Sequence, residues 1–119
     1  MNTSEVLNRA ADLIEERGWA TGNCGMDASP GAALCLEGAL GAAMGVAVVD
    51  GLSAYPIYDY TEIEVAPVYQ ILQDYLAWMS DLYMWNDRRD RTQAEVVEAL
   101  RACAVIEAAR EHEAVEVSA

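Results

Sequence analysis

No lysine and no phenylalanine occur in this sequence, and a single histidine, His112, lies near its C-terminus. The seven basic residues are all arginines and stand against 20 acidic residues, which gives a formal net charge of -13. A surface with this charge repels nucleic-acid phosphates, so direct nucleic-acid binding is unfavourable. The charge favours a basic protein partner instead.

The sequence is also poor in residues that build metal or cofactor sites. Its three cysteines, Cys24, Cys35 and Cys103, have no disulfide-framework spacing and are typical of a reducing cytoplasm. Closely spaced Cys and His ligands for zinc, an acidic loop for calcium and a glycine-rich phosphate loop are all lacking. We therefore expect no metal ion and no cofactor.

Export and membrane signals are lacking as well. The N-terminal residues MNTSEV have neither a basic nor an apolar region, which favours a cytoplasmic protein. Residues 32–49 approach the length of a membrane span, with Glu37 as their only charge. Alanine and glycine contribute little to insertion, and Glu37 within a span would cost roughly 2–3 kcal/mol. We therefore expect a buried helix here and no membrane association.

Apolar residues recur at intervals of three and four in four segments, which predicts a mainly α-helical chain. The predicted helices cover residues 4–17, 30–45, 67–85 and 93–111. With 119 residues, 54% of them apolar, the chain is long enough for one compact domain with its own core. We expect a bundle of four helices over residues 1–111 and a flexible tail over residues 112–119.

The second predicted helix is the central one. Ser29 serves as its N-cap and Pro30 as its first residue. Gly38 and Gly41 let neighbouring elements approach closely, and the helix is apolar on all sides except at Glu37. A carboxylate on a buried helix must pair with an arginine or point into a cavity, so Glu37 is a candidate site residue.

Residues 20–31 are rich in turn-forming types and lack helical periodicity, which predicts a loop. Loops on a rigid scaffold often carry function, so Asn23, Cys24 and Asp27 are candidates. The other interpretation is a surface connection with an incidental thiol.

The segment 46–64 fits a short β-hairpin near residues 46–58, with Asp50 and Gly51 in its turn. It also carries three tyrosines interleaved with acidic residues, namely Tyr55, Tyr58 and Tyr60. Tyrosine is enriched at protein interfaces, so the cluster has two interpretations: a surface for a partner, or a cover over the protein's own core.

The segment 85–95 predicts a helix end, a tight corner and a new helix. Thr92 and Glu95 form a capping box before an apolar run, so the last helix should begin directly after Thr92.

Two interpretations of the polar corner remain open. Its side chains cap and pair with one another, or some of them face a ligand in a pocket between the corner, the Cys24 loop and the second helix. The residues of that pocket would be Trp85, Asn86 and Asp87.

Three blocks resemble the signature of a small domain family. They are LNRAADLIEERGW, CLEGALGAA, and WND followed by RT and EVVEALRACA. The family is found in actinobacteria and their phages and is catalogued as a domain of unknown function. The resemblance implies a compact helical domain in an actinobacterial cytoplasm, or in the host cytoplasm if the protein is phage-encoded. It implies no activity and therefore no catalytic residue.

Three classes of function follow. The first is a non-enzymatic acidic interaction module, a phage or actinobacterial accessory protein that binds a host protein, with a nucleic-acid-mimicking inhibitor as a special case. The second is a small enzyme that uses the thiol of Cys24 or Cys35. The third is a homo-oligomeric structural module, and the sequence leaves the oligomeric state open, a dimer included. The candidate binding residues are Trp85, Asn86, Asp87, Arg91, Tyr55, Tyr58, Tyr60, Cys24, Cys35 and Glu37.

Replacing Thr92 by alanine tests the predicted capping box. Thr92→Ala should lower the free energy of unfolding by about 1 kcal/mol, because the first turn of the helix loses a hydrogen-bond acceptor. Urea denaturation measures this change. An unchanged free energy of unfolding would mean that the last helix does not begin here.

Overall fold

The computed structural model describes residues 1–49, 51, 55–76 and 81–118, with side chains described as far as Ala114. Within these residues the fold is mainly α-helical with one short antiparallel hairpin, which confirms the predicted fold class. The elements are α1 (Thr3–Arg17), a 3₁₀ helix (Gly22–Met26), α2 (Leu36–Met44), β1 (Ala47–Val48), β2 (Ile57–Tyr58), α3 (Tyr60–Val65), α4 (Pro67–Leu76), α5 (Leu82–Asn86) and α6 (Gln93–Ser118).

Helices α1 and α6 pack against each other in opposite directions. At one end, the backbone N–H and the hydroxyl of Ser4 both donate to the Glu111 carboxylate, at 3.1 and 2.7 Å. Further along, Arg101 of α6 pairs with Asp12 and Glu15 of α1. Fully buried apolar side chains fill the interface and the core beneath it, including Leu7, Ile14, Val96 and Leu100.

Helix α2 lies at the centre of the fold and contacts α1, α3 and α5, as its composition predicts. Its glycines make these contacts possible. A Cβ atom on Gly38 would lie 1.8 Å from the carbonyl oxygen of Gly25 in the 3₁₀ helix. A Cβ atom on Gly41 would lie 2.8 Å from Ile63 of α3. Both glycines therefore allow close packing onto α2.

The predicted start of this helix at Ser29 and Pro30 is wrong, because α2 begins at Leu36. The segment before it is held by other partners. The Arg17 guanidinium donates to the carbonyl oxygens of Ser29 and Ala32, at 3.1 and 2.7 Å. These bonds occupy carbonyl groups that a helix would have used, so residues 29–31 form a turn.

The cap of α2 is Cys35 rather than Ser29. Just before it, Leu34 exchanges backbone hydrogen bonds with Gly18 and Ala20, which keeps this stretch extended. The Cys35 sulfur then accepts the N–H of Gly38 at 3.3 Å. Long-range pairing with the segment after α1 therefore delays the helix by six residues, about one and two-thirds turns, relative to the prediction.

The predicted β-hairpin is present, with Ala47 opposite Tyr58 and Val48 opposite Ile57. Its predicted turn includes Asp50, which lies outside the described residues. The sequence did not predict α3, which follows the hairpin. Asp59 caps this short helix by accepting the backbone N–H groups of Thr61 and Glu62.

The predicted helix over residues 67–85 is divided into α4 and α5, and residues 77–80 between them lie outside the described part. Asp81 caps α5 by accepting the N–H of Met84 at 2.8 Å. The predicted capping box of α6 is confirmed, since the N–H of Glu95 donates to the Thr92 hydroxyl at 3.2 Å. Helix α6 continues to Ser118 and so includes most of the expected tail.

In the portions of the chain that are described, no helix combines the length and the apolar character that crossing a membrane requires.

Replacing Gly38 by alanine tests the contact between the 3₁₀ helix and α2. Helix propensity alone would favour alanine by about 1 kcal/mol. We expect Gly38→Ala to lower the free energy of unfolding by about 2–3 kcal/mol instead, because the new methyl group overlaps a backbone oxygen that cannot rotate away. Chemical denaturation measures the change.

The matched control is Ala42→Gly on the same helix, where no comparable overlap arises and a loss of about 1 kcal/mol is expected. A Gly38→Ala variant as stable as the parent would contradict the close approach.

Candidate functional site

The side chain of Asn86 joins three parts of the fold at the end of α5. It is 1% exposed. Its Oδ1 accepts from Nε1 of Trp19 at 2.8 Å and from the N–H of Leu36 at 3.1 Å. Its Nδ2 donates to the carbonyl oxygen of Ala20 at 3.2 Å and to Oδ1 of Asp87 at 2.9 Å. All four positions of the amide are therefore used by the protein itself.

Asp87 extends this network into the 3₁₀ helix. Its two carboxylate oxygens accept the backbone N–H of Gly22 at 3.1 and 3.0 Å. The corner, the Cys24 loop and the central helix thus lie together, as one interpretation of the sequence requires. The polar atoms of Asn86 and Asp87 described here bind the protein's own groups, so these side chains support the neighbouring backbone segments and the Trp19 ring.

Trp85 and Arg91 form a separate unit at the turn between α5 and α6. The Arg91 guanidinium carbon lies 3.6 Å from the centroid of the Trp85 ring. Arg91 also donates from Nε to the carbonyl oxygen of Trp85 at 3.0 Å and pairs with Glu95 at 3.3 Å. These contacts fix the turn between α5 and α6, and the two cavities described next are lined by other residues.

A cavity of about 220 Å³ opens beside the Asn86 network, and we call it the Glu37 cavity. It leads from the surface into the core, because some of its residues are exposed and others buried. Tyr60 and Tyr83 are about half exposed at its mouth, whereas Glu37 is 3% exposed at its inner end. Its lining consists of Gly22, Asn23, Met26, Cys35, Glu37, Tyr60 and Tyr83.

The Glu37 carboxyl group is buried with an unused oxygen. Among the described residues, no group makes a hydrogen bond with Oε2. Burial, together with the nearby carboxylates of Asp81, Glu64 and Asp87, raises the pKa of Glu37 to about 7. Of the two arrangements that the sequence allowed, an arginine partner or a cavity, the structure places Glu37 at a cavity.

Cys35 also reaches this cavity, but its chemistry is that of a buried thiol. Its sulfur accepts the N–H of Gly38, and burial raises the pKa of the thiol to about 11. Such a thiol is protonated at neutral pH and is a weak nucleophile. Burial also raises the pKa of Cys103 to about 11, whereas Cys24 lies exposed on the 3₁₀ helix.

A larger groove of about 760 Å³ lies next to the Glu37 cavity, and we call it the tyrosine groove. The two share three lining residues and so adjoin each other. The groove is lined by Asn23, Met26, Val48, Tyr55, Ile57, Tyr58, Asp59, Tyr60 and Thr61.

The three tyrosines of the groove have different roles. Tyr58 is buried, and its hydroxyl accepts from Nη1 of Arg17 at 3.1 Å, so it covers the core. Tyr55 and Tyr60 are 44% and 46% exposed. Tyr60 shares a side-chain hydrogen bond with the buried Tyr69, which holds Tyr60 in place. Tyr60 lines both the groove and the Glu37 cavity and so lies between them.

Met26 and Tyr83 line the Glu37 cavity but were not predicted as site residues from the sequence. The predicted helix over residues 67–85 contains Tyr83 and gives it no role in a site. A signal was present in Asp81, because an aspartate directly before an apolar run is a common N-cap. Ending the helix there would have placed Tyr83 on α5, next to the corner.

The fold and the site together define a small, mainly helical domain with a tyrosine groove above a buried carboxyl group. Residues 1–106 match the family described as "Family of unknown function (DUF6197)", and the chain belongs to that family. No curated protein and no solved structure matches the chain.

Replacing Glu37 by glutamine tests the raised pKa. The folded protein keeps the Glu37 proton up to about pH 7, whereas the unfolded chain loses it near pH 4.5. Folding therefore becomes less favourable as the pH rises between these values. Relative to Glu37→Gln, the parent should lose roughly 2–3 kcal/mol of its free energy of unfolding between about pH 4.5 and about pH 8.

Urea denaturation of both proteins across this range measures the difference. The control is Glu62→Gln on the exposed side of α3. The difference in free energy of unfolding between this variant and the parent should not change with pH in this way. A difference between Glu37→Gln and the parent that is constant with pH would show that Glu37 ionises normally.

Proposed function

We propose that this protein is a non-enzymatic interaction module that binds a basic segment of a partner protein in the tyrosine groove. The observation that carries the proposal is the groove itself, about 760 Å³ in volume and lined by the exposed tyrosines Tyr55 and Tyr60. Tyrosine supplies a large contact area together with a polar hydroxyl, which suits protein recognition.

The charge around the groove supports a basic occupant. Asp59 lines it, and the exposed residues Glu62 and Glu64 follow on α3. The whole chain carries a net charge of -13. Opposite charges speed association and select among partners, so a segment containing arginine or lysine fits this surface best.

Apolar area on the hairpin adds to the surface. Val48 lines the groove and is 37% exposed, and Val49 beside it is 78% exposed. Exposed apolar residues next to aromatic ones are typical of a protein contact surface. A bound segment would cover them.

Two alternatives from the sequence have less support. A thiol enzyme would need an activated cysteine, and the raised pKa of Cys35 opposes that. Nucleic-acid mimicry would need a face of free carboxylates, but Asp12 and Glu15 are paired with Arg101, and Glu111 binds Ser4. The occupant we propose is a host protein in an actinobacterial cytoplasm, on the basis of the family resemblance of the sequence blocks.

A display library of random short peptides tests the proposal. Peptides selected on the parent protein should be rich in arginine or lysine, and raising the salt concentration should weaken their binding. They should bind at least about tenfold more weakly to a variant carrying Tyr55→Ala and Thr61→Arg, because this variant loses an aromatic contact and places a positive charge in the groove.

The matched control carries Tyr75→Ala and Ala94→Arg. Tyr75 is 45% exposed, close to the 44% of Tyr55, and neither control position lines the groove. Equal binding by both variants, or no selected peptide at all, would refute the proposal. Thermal unfolding verifies that both variants are folded.

A further inference from the structure

The Glu37 carboxyl group, at the inner end of the Glu37 cavity, has one oxygen to which none of the described groups donates a hydrogen bond. Oε2 of Glu37 has no partner among the described residues, although Glu37 is 3% exposed. A buried carboxyl oxygen without a donor is costly, and most buried polar atoms in proteins are satisfied. The cavity beside it has a volume of about 220 Å³, several times the roughly 30 Å³ that one water molecule occupies in the liquid. There is room for a donor group larger than water.

The charges around the cavity indicate the chemistry of that group. Glu64 on α3, together with Asp81 and Asp87 at the two ends of α5, contributes negative potential at Glu37. The other titratable groups that line the cavity are the Cys35 thiol and the hydroxyls of Tyr60 and Tyr83. None of the ion pairs found in the described part of the chain includes Glu37. The site therefore complements a cation that carries N–H donors.

The route into the cavity points to a side chain of a bound partner. The cavity and the tyrosine groove share Asn23, Met26 and Tyr60, so a chain lying in the groove can direct a side chain past Tyr60 toward Glu37. The rings of Tyr60 and Tyr83 at the mouth are suited to contact with a planar cation. A guanidinium group stacks on aromatic rings and donates two parallel hydrogen bonds to one carboxylate, whereas an ammonium group does neither as well.

We propose that the Glu37 cavity accepts one arginine side chain of the partner segment, with its guanidinium group donating to the Glu37 carboxylate. This inference rests on the proposed function, because the tyrosine groove must hold the segment that carries the arginine. Binding requires the ionised form of Glu37, so at a pH below its pKa the carboxyl group releases its proton to the solvent when the arginine enters. Below the Glu37 pKa of about 7, affinity should fall by up to about tenfold for each pH unit.

Replacing arginine by citrulline in the selected peptides tests the inference. Citrulline has the same shape without the charge. On the parent protein, one such replacement should weaken binding at least about tenfold, and on Glu37→Gln the same replacement should have little effect. Glu62→Gln, which removes an exposed charge from α3, should respond to citrulline as the parent does.

A second measurement needs no selected peptide. Nα-acetyl-arginine N-methylamide, titrated into the parent protein, should shift the amide NMR signals of Gly22, Asn23 and Glu37 in a saturable manner. The citrulline compound should bind at least about tenfold more weakly, and Glu37→Gln should abolish the arginine response.

The outcomes separate the two proposals. If peptides bind the groove but citrulline replacement has the same effect on the parent and on Glu37→Gln, the arginine site is refuted and the groove function stands. If the arginine compound binds at Glu37 but no peptide depends on the groove, the partner function is refuted, and with it the assignment of the cavity to a partner's side chain.

Discussion

The side-chain amide of Asn86 is the interaction on which the rest of the structure depends. It joins the loop after α1, the first turn of α2 and the end of α5 through four hydrogen bonds. Without it, the N–H of Leu36 would be buried without a partner, at a cost of roughly 1–3 kcal/mol, and the carbonyl oxygen of the half-buried Ala20 would lose its bond to Asn86. This junction also fixes the position of the Glu37 cavity. Asn86 binds Leu36, which directly precedes Glu37, and the Asp87 carboxylate accepts the N–H of Gly22, another lining residue.

Two kinds of polar side chain lie close together here: those that are hydrogen-bonded within the protein, and Glu37, which has an oxygen that a ligand could bind. Asn86 and Asp87 bind backbone groups, and Arg91 is committed to Trp85 and Glu95. Close to them, the Glu37 carboxyl group lies in a cavity with an oxygen that no described group uses. A tightly bonded support next to one unsatisfied group is an arrangement that favours specific recognition, since the support holds the group in place and the unsatisfied atom selects the ligand.

Local sequence signals predicted the local features well. The capping box of Thr92 and Glu95, the start of α4 at Pro67 and the buried character of α2 all follow from neighbouring residues, and the structure contains them. The late start of α2 was not predictable in this way, because it depends on Arg17 and Asn86, which are distant in sequence. The burial of Glu37 could be expected from its apolar neighbours, whereas its cavity is formed by Tyr60 and Tyr83 from other helices.

The pairing of α1 with α6 has a consequence for synthesis on the ribosome. Within this domain α1 is translated before α6, which packs along it. Likewise, the N–H of Leu36 cannot form its hydrogen bond with Asn86 until that residue has been translated, 50 residues later. The nascent chain therefore carries a partly uncovered apolar helix and an unpaired loop until α6 has been translated, which makes binding by a chaperone in this interval useful to the fold.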